Sequence, residues 1–196
     1  LQVGAERIGW KEKYRKPGSE TGRIRRGMGC AITTWPYYAG AGSAMARCTL
    51  FPDGSVEIAN SCQDLGTGIR TAMKTTAAET LGIALDRIKV IIGDTQLGLV
   101  GPMSGGSVTT ANVAPAVRSA SFSALRQLLT IVAQAWGTEL ENVSCMNDIV
   151  YSISDPQHSM PWNEAAALMG NDPIVTTARD AARPSVRGIS PGTRMK

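Results

Sequence analysis

The stretch from Gln63 to Thr71 reads Q-D-L-G-T-G-I-R-T, and the rest of the chain is organised around it. An alternating run, 55–60, ends just before this stretch, and a helical spacing of apolar residues begins within it at Ile69. Glycine before a helix lets the backbone approach a ligand closely, and the helix N-terminus offers unpaired N–H groups and a partial positive charge. The stretch therefore predicts a strand, a loop suited to an anionic group, and a helix.

A second stretch of the same kind lies further along the chain, where Ser104 to Thr110 reads S-G-G-S-V-T-T. It opens a long helical pattern over about 109–136, and two threonine hydroxyls at its end add further hydrogen-bond donors. Two such loops in one domain favour a single extended ligand that carries several polar groups.

The remaining periodicities predict an α+β fold with a mixed β-sheet in the order β-β-β-α-β-α. Gly82 and Gly137 are expected to end the two main helices, and Pro115 is expected near the first turn of the long one. A Pro-Asp-Gly turn at 52–54 predicts a hairpin. The predicted strands are 27–38, 44–51, 55–60 and 88–92, and the first main helix is predicted over 69–81.

The domain organisation follows from where these patterns start and stop. The patterns predict an arm or linker over residues 1–26, with a short helical end over 1–13. They predict the main α+β domain portion over 27–140. A small αβ appendage is predicted at 141–180, with strands 149–153 and 174–178 around a helix at 162–169. The last residues, 181–196, read as an irregular tail and a cut end.

The composition limits the classes of protein to which the chain can belong. Among 196 residues, 43% are hydrophobic and 18% charged, which is typical of a globular domain. The net charge of +4 is spread along the chain, and the one cluster, Arg23, Arg25 and Arg26, has no aromatic residues interleaved with it. A solvated loop is the preferred interpretation, so neither nucleic acid nor a membrane is expected as a partner.

The sequence offers no catalytic or metal-binding constellation of its own. Its four cysteines include no C-x-x-C pair, which predicts buried free thiols in a reducing compartment. The expected location is the cytoplasm, with the periplasm as the alternative. The single histidine, His158, lies in a predicted turn and is interpreted as an exposed structural residue rather than a general base.

The residues alone leave three interpretations of the glycine loops open. The dinucleotide fingerprint G-x-G-x-x-G is not completed, because position 71 is threonine, and the lysine of a P-loop is missing. A plain strand-to-helix turn, a generic phosphate site and an extended cofactor site all fit the pattern, and the missing lysine counts against the second.

Five pieces of the chain also carry a resemblance to a known family. They are D-G-S-V (53–56), Q-D-L-G-T-G-I-R-T (63–71), A-E-T-L-G (78–82), G-D-T (93–95) and S-G-G-S-V-T-T (104–110). In this order and spacing they resemble the molybdenum-binding large subunit of the xanthine dehydrogenase/aldehyde oxidoreductase family. The resemblance is strongest over 20–125 and points to the second molybdopterin-binding domain of that subunit.

The resemblance implies that the two loops contact the pyranopterin and the diphosphate of a molybdopterin cofactor, in bacteria often the cytosine dinucleotide form. Position 67 is often glutamine in the family; Thr67 is shorter, so its expected contact is through the backbone amide. The residues expected to line the cofactor are Gln63, Gly66, Thr67, Gly68, Arg70, Gly105, Gly106, Ser107, Val108, Thr109 and Thr110.

The resemblance further implies an oxidoreductase that hydroxylates aldehydes or N-heterocycles with water. Iron–sulfur clusters and often FAD, on other domains or subunits, are expected to remove the electrons. The glutamate that acts as base in the family is expected beyond Lys196, so the remaining part of the large subunit is an expected partner and this chain alone is expected to be inactive. The alternative is a non-catalytic relic, or a structural or interaction module that keeps the fold.

Overall fold

The computed structural model of the chain describes residues 1–31 and 44–179. These residues belong to two compact units. The first unit contains two short helices, α1 (Gln2–Arg7) and α2 (Trp10–Lys13), with Gly9 between them in the left-handed region at φ 66°. Both helices lie inside the predicted helical end, which is therefore confirmed.

The second unit is an α+β structure built on two sheets. Its first sheet has the strand order β3-β2-β1-β7 and is mixed, because β2 pairs parallel with β3 while β1 pairs antiparallel with β2 and β7. The predicted mixed sheet and α+β class are confirmed. In chain order the elements are β1 (Met45–Leu50), β2 (Val56–Asn60), α3 (Ile69–Leu81), β3 (Ile88–Ile92), α4 (Thr109–Trp136), β4 (Val143–Met146), β5 (Ile149–Ser152), β6 (Ser159–Pro161), α5 (Trp162–Ala167) and β7 (Ile174–Arg179).

The core lies between the first sheet and the two long helices. The alternation of β1 buries Ala46, Cys48 and Leu50, which are at most 1% exposed, on one face. Helix α4 covers this face, and Thr176 Oγ1 on β7 donates a hydrogen bond of 2.8 Å to Ala120 O on α4. Helix α3 joins the same core and packs along α4.

The helix ends confirm the glycine predictions, and one proline prediction is wrong. Gly82 and Gly137 end α3 and α4 in the left-handed region, at φ 75° and 64°. Pro115, expected near the first turn, instead lies inside α4 in its second turn. It has no N–H to donate to the carbonyl of Ala111, so α4 lacks one backbone hydrogen bond there.

Two strand predictions need correction. In the predicted strand 27–38, residues 27–31 form no strand, and the other residues lie outside the part that the structure describes. The strands next to β1 in the described part of the sheet are β2 and β7. Strand β7, predicted in the C-terminal appendage, therefore belongs to the first sheet. Buried and exposed residues alternate along most of β7, but such a local pattern does not show which strand lies beside it.

The second sheet is antiparallel, in the order β4-β5-β6. Strand β5 and helix α5 are confirmed, whereas β4 and β6 are too short and too polar to be predicted. Asn147 and Asp148, at φ 53° and 62°, form the turn between β4 and β5. The predicted tail 181–196 lies outside the described residues. Within 1–31 and 44–179, no helix combines the length and apolarity needed to cross a bilayer.

Candidate functional site

The two glycine loops start from the same edge of the first sheet. The first loop follows the carboxyl end of β2, and the chain that leads to the second loop packs against its beginning. A Cβ atom on Gly101 would overlap the carbonyl of Ser61 and lie 2.6 Å from the nitrogen of Cys62. The carbonyl of Val100 accepts a 2.8 Å hydrogen bond from the nitrogen of Met45, at the start of β1. The structure therefore brings the bases of the two predicted loops into direct contact.

The first loop presents backbone amides next to open space. Asp64 Oδ1 accepts a 3.0 Å hydrogen bond from the nitrogen of Gly66, and Gly66 and Gly68 adopt φ 78° and 85°. Gly68 caps α3 without a side-chain hydrogen bond, and the carbonyl of Gly68 accepts from the nitrogen of Ala72. The amides of 69–71 therefore have no acceptor inside the helix. A Cβ atom on either glycine would meet nothing within 4 Å.

Arg70 is held by its own chain. Its Nε lies 3.1 Å from Asp64 Oδ2, and its Nη1 donates to the carbonyl of Val90 at 3.3 Å. The sequence suggests that Arg70 binds an anion with two parallel hydrogen bonds. In the structure Asp64 occupies the Nε side of the guanidinium, so the donors on Nη2 are those best placed for a ligand. Arg70 also ties the first loop to the middle of β3.

The second loop has two consecutive residues in the left-handed region. Gly106 and Ser107 have φ 60° and 59°, and the left-handed conformation costs a non-glycine residue about 1 kcal/mol or more. Such strain is typical of functional loops that the surrounding structure holds in place. Val108 caps α4 without a side-chain hydrogen bond, and its carbonyl accepts from the nitrogen of Asn112 at 3.0 Å. The amides of 109–111 are thus unpaired within the helix, as in α3.

The side chains of the predicted residues differ in what they offer. Val108 is 2% exposed and packs inward, so only its backbone faces the loop. Thr109 Oγ1 donates to Ser104 Oγ at 3.2 Å, which closes the second loop on itself. The exposed side chains among the predicted residues are Gln63, Thr67, Arg70, Ser107 and Thr110.

The donor set is suited to an anion rather than to a bare metal ion. The pKa of the Cys62 thiol, at the base of the first loop, is raised mainly by burial. This thiol therefore stays protonated at neutral pH. Across the described residues, no three His, Cys, Asp or Glu side chains converge as metal ligands. The loops instead offer amides, hydroxyls and one guanidinium, the groups that bind phosphate oxygens.

Asn60 and Gly101 lie at the base of the two loops, and neither was predicted from the sequence. Asn60 ends β2 and is fully buried, on the same face as Val56 and Ile58. An asparagine at a position where the alternation calls for an apolar residue is the signal that could have identified it, because a buried amide needs hydrogen-bond partners. The close approach of Gly101 has no such local signal, since the residues that it contacts lie forty positions earlier.

A separate groove lies between α3 and α4 on their outer side. It encloses about 680 Å³ and is lined by Thr76, Glu79, Pro115, Arg118 and Phe122, among others. None of the predicted site residues lines this groove, so the two loops and the groove are distinct features.

Comparison with known protein families shows to which family the chain belongs. The sequence model of the molybdopterin cofactor-binding domain family matches residues 3–188, nearly the whole chain. The chain belongs to this family. The resemblance inferred from the five short pieces is thus confirmed.

Relatives of this molybdopterin cofactor-binding chain are subunits of molybdenum enzymes. It is 24% identical over 166 residues to the putative xanthine dehydrogenase molybdenum-binding subunit XdhA of Escherichia coli, covering 82% of this chain and 22% of that protein. It is 31% identical over 146 residues to the aldehyde oxidoreductase molybdenum-binding subunit PaoC of Escherichia coli, covering 72% and 18%. The chain therefore spans about a fifth of the length of these relatives.

Solved structures share the fold of this family member. Quinoline 2-oxidoreductase from Pseudomonas putida matches 70% of this chain and 19% of its own, with a TM-score of 0.62 and 19% identity. The reconstituted CO dehydrogenase from Oligotropha carboxidovorans matches 72% of this chain and 18% of its own, with a TM-score of 0.65 and 20% identity.

Proposed function

We propose that this chain holds the pyranopterin and diphosphate of a molybdopterin cofactor, in its cytosine dinucleotide form, within a molybdenum hydroxylase. The observation that carries the proposal is the pair of helices, α3 and α4, that both begin without side-chain caps behind glycine loops joined at Gly101. Each helix N-terminus favours negative charge, and together they suit a ligand with several anionic groups.

The proposed contacts divide between the two loops. On the first loop, the amides of 69–71, the amide of Thr67, the side chain of Gln63 and the Nη2 donors of Arg70 bind the cofactor. The open space beside Gly66 and Gly68 admits the ligand up to the backbone. On the second loop, the contacts come from the amides and hydroxyls of 105–110.

The bound cofactor supplies the oxidation of an aldehyde or N-heterocycle with water, and the chain supplies binding and orientation. The amides of both helices fix the anionic part of the cofactor, because their direction is set by helices that are packed into the core. The Asp64–Arg70 pair keeps the first loop against β3 and limits its movement.

The proposed assembly includes more than this chain. The remaining part of the large subunit supplies the base glutamate and the other cofactor contacts. Iron–sulfur and FAD subunits or domains take up the electrons, and the complex works in the cytoplasm. The relatives named as molybdenum-binding subunits support this assignment.

The proposal is tested on the complete natural protein, purified with its partners. Molybdenum is measured by elemental analysis, and the nucleotide released by acid is identified by chromatography. We expect molybdenum and cytidine nucleotide in equal amounts. A folded complex that contains neither would contradict the proposal and favour a structural or interaction module.

A further inference from the structure

We propose that Asn60 and Gly101 are positioning residues that set the separation of the two glycine loops, and thereby determine whether the cofactor is retained. The inference rests on the proposed function, because it concerns the same ligand. Neither residue is part of a glycine loop. Both lie at the base of the loops, where β1, β2 and the chain leading to α4 meet.

Asn60 is fully buried and connects three segments through hydrogen bonds. Its Nδ2 donates to the carbonyl of Met45 at 2.5 Å, and its Oδ1 accepts from the nitrogen of Cys62 at 2.7 Å. Its own carbonyl accepts from the nitrogen of Gly93, which follows β3, at 3.3 Å. One fully buried residue therefore fixes where the first loop leaves the sheet, relative to β1 and β3.

Gly101 connects the second loop to the same point. The space where its Cβ would lie is filled by the carbonyl of Ser61 and the nitrogen of Cys62, the residues directly after Asn60. Its φ is not in the left-handed region, so the contact itself, rather than the backbone conformation, requires glycine. The adjacent carbonyl of Val100 accepts from the nitrogen of Met45, the residue whose carbonyl Asn60 binds.

The contacts of Asn60 and Gly101 set the distance between the two loops. A ligand that contacts two helix N-termini at once needs them at one separation, and binding sites tolerate errors of only about 0.5 Å. The favourable field of a helix N-terminus also falls off within its first turn. Because the two loops meet at Asn60 and Gly101, a shift at this joint changes their separation while α3 and α4 remain packed in the core.

The first test is Asn60→Leu in the complete protein with its partners. Leucine is close to asparagine in size but neither donates to the carbonyl of Met45 nor accepts from the nitrogen of Cys62, so the two segments are no longer held together. The matched control is Asn142→Leu. Asn142 Nδ2 donates to the hydroxyls of Thr138 and Ser152, and its Oδ1 accepts from the nitrogen of Ser154, next to the second sheet and outside both loops.

The second test is Gly101→Ala, which pushes the chain leading to α4 away from Ser61. Its control is Gly82→Ala, because a Cβ atom there would overlap the carbonyl of Cys145, on the second sheet. Gly82 also has φ 75°, so the control loses at least as much stability as the test variant. This pair remains informative if Asn60→Leu does not fold.

Molybdenum content, released cytidine nucleotide and melting temperature are measured for all five proteins. We expect the wild type and both controls to retain the cofactor. Asn60→Leu and Gly101→Ala should contain about tenfold less cofactor, or lower, at a melting temperature comparable with that of their controls, because loss of supporting contacts at a metal site weakens binding by about that factor. Test variants that retain as much cofactor as their controls would overturn the inference. A wild-type complex without cofactor would overturn the proposed function instead.

Discussion

Individual residues shape the two glycine loops, and Gly66 is an example. Its φ of 78° and the empty space beside it combine two properties that only glycine supplies together: a left-handed backbone and an unobstructed approach. Ser107 takes a left-handed conformation without being glycine, so the second loop holds strain that the surrounding structure balances.

Gly66→Leu is predicted to abolish cofactor retention in the complete protein while the domain stays folded. The control is Gly170→Leu, because Gly170 has a matching φ of 77° and equally open space after α5. Both variants should lose about 1 kcal/mol through the left-handed conformation, but only Gly66→Leu places a side chain where the ligand approaches. Equal molybdenum contents in the two variants would contradict the assignment of the first loop.

Two buried thiols make the stability of the domain sensitive to alkaline pH. Burial raises the pKa of Cys48 from 9.0 to about 12, partly offset by the Ser121 hydroxyl. Burial, together with the Asp148 carboxylate, raises the pKa of Cys145 to about 12 as well. The folded state keeps these protons longer than the unfolded state, so the stabilisation is complete below pH 9 and is lost as the pH rises from about 9 to 12.

We therefore expect the urea concentration that exposes Cys48 to alkylation to be lower at about pH 10.5 than at about pH 8. Pulse labelling with mass spectrometry measures this in the complete protein. The variant Cys145→Ala should show a smaller decrease, because it removes one of the thiols whose pKa is raised in the folded state. An unchanged midpoint between the two pH values would show that these thiols do not titrate with unfolding.

At the scale of elements, the turn between β4 and β5 joins the second sheet to the end of α3. Asp148 Oδ1 accepts from Arg87 Nε at 2.6 Å and from the nitrogen of Ala84 at 3.2 Å. Its backbone nitrogen donates to the carbonyl of Gly82, and its carbonyl accepts from the nitrogen of Trp162. A single residue thus ties the second sheet and α5 to the segment between α3 and β3.

Asp148→Ala is predicted to destabilise the domain by about 2 kcal/mol, because it removes charge-assisted hydrogen bonds and leaves alanine in a left-handed conformation. The melting temperature should fall while molybdenum content stays near that of wild type, since the turn is remote from the loops. Asp86→Ala, at an exposed neighbouring carboxylate, serves as the control and should change little. A melting temperature unchanged in Asp148→Ala would contradict this role for the turn.

The elements also show how far the sequence predicts the structure. Helices α3 and α4 were predictable to the residue, because glycine ends each of them and the apolar spacing is regular. Strand β7 was predictable as a strand but not as a neighbour of β1, since that pairing joins residues far apart in sequence. The loops were predictable as glycine-bearing segments that each precede a helix N-terminus. The pairing of Arg70 with Asp64 and the contacts of Asn60 and Gly101 required the folded chain.

At the scale of the whole molecule, the bases of the two glycine loops meet at the sheet, and the helices that follow the loops pack against each other in the core. Strand β2 leads into the first loop and so positions the start of α3. Helix α4 packs against α3 in the core. The contacts of Asn60 and Gly101 connect the bases of the two loops. The chain spans about a fifth of its relatives, so the proposed active assembly requires the rest of the large subunit around this arrangement.

The measurement that tests this account most directly is an experimental structure of the complete protein with its bound cofactor. We predict that phosphate oxygens of the cofactor lie within about 3.2 Å of amide nitrogens at the start of both helices, among 69–71 and 109–111. Phosphates bound elsewhere in the protein, with both helix N-termini facing solvent, would contradict the central claim.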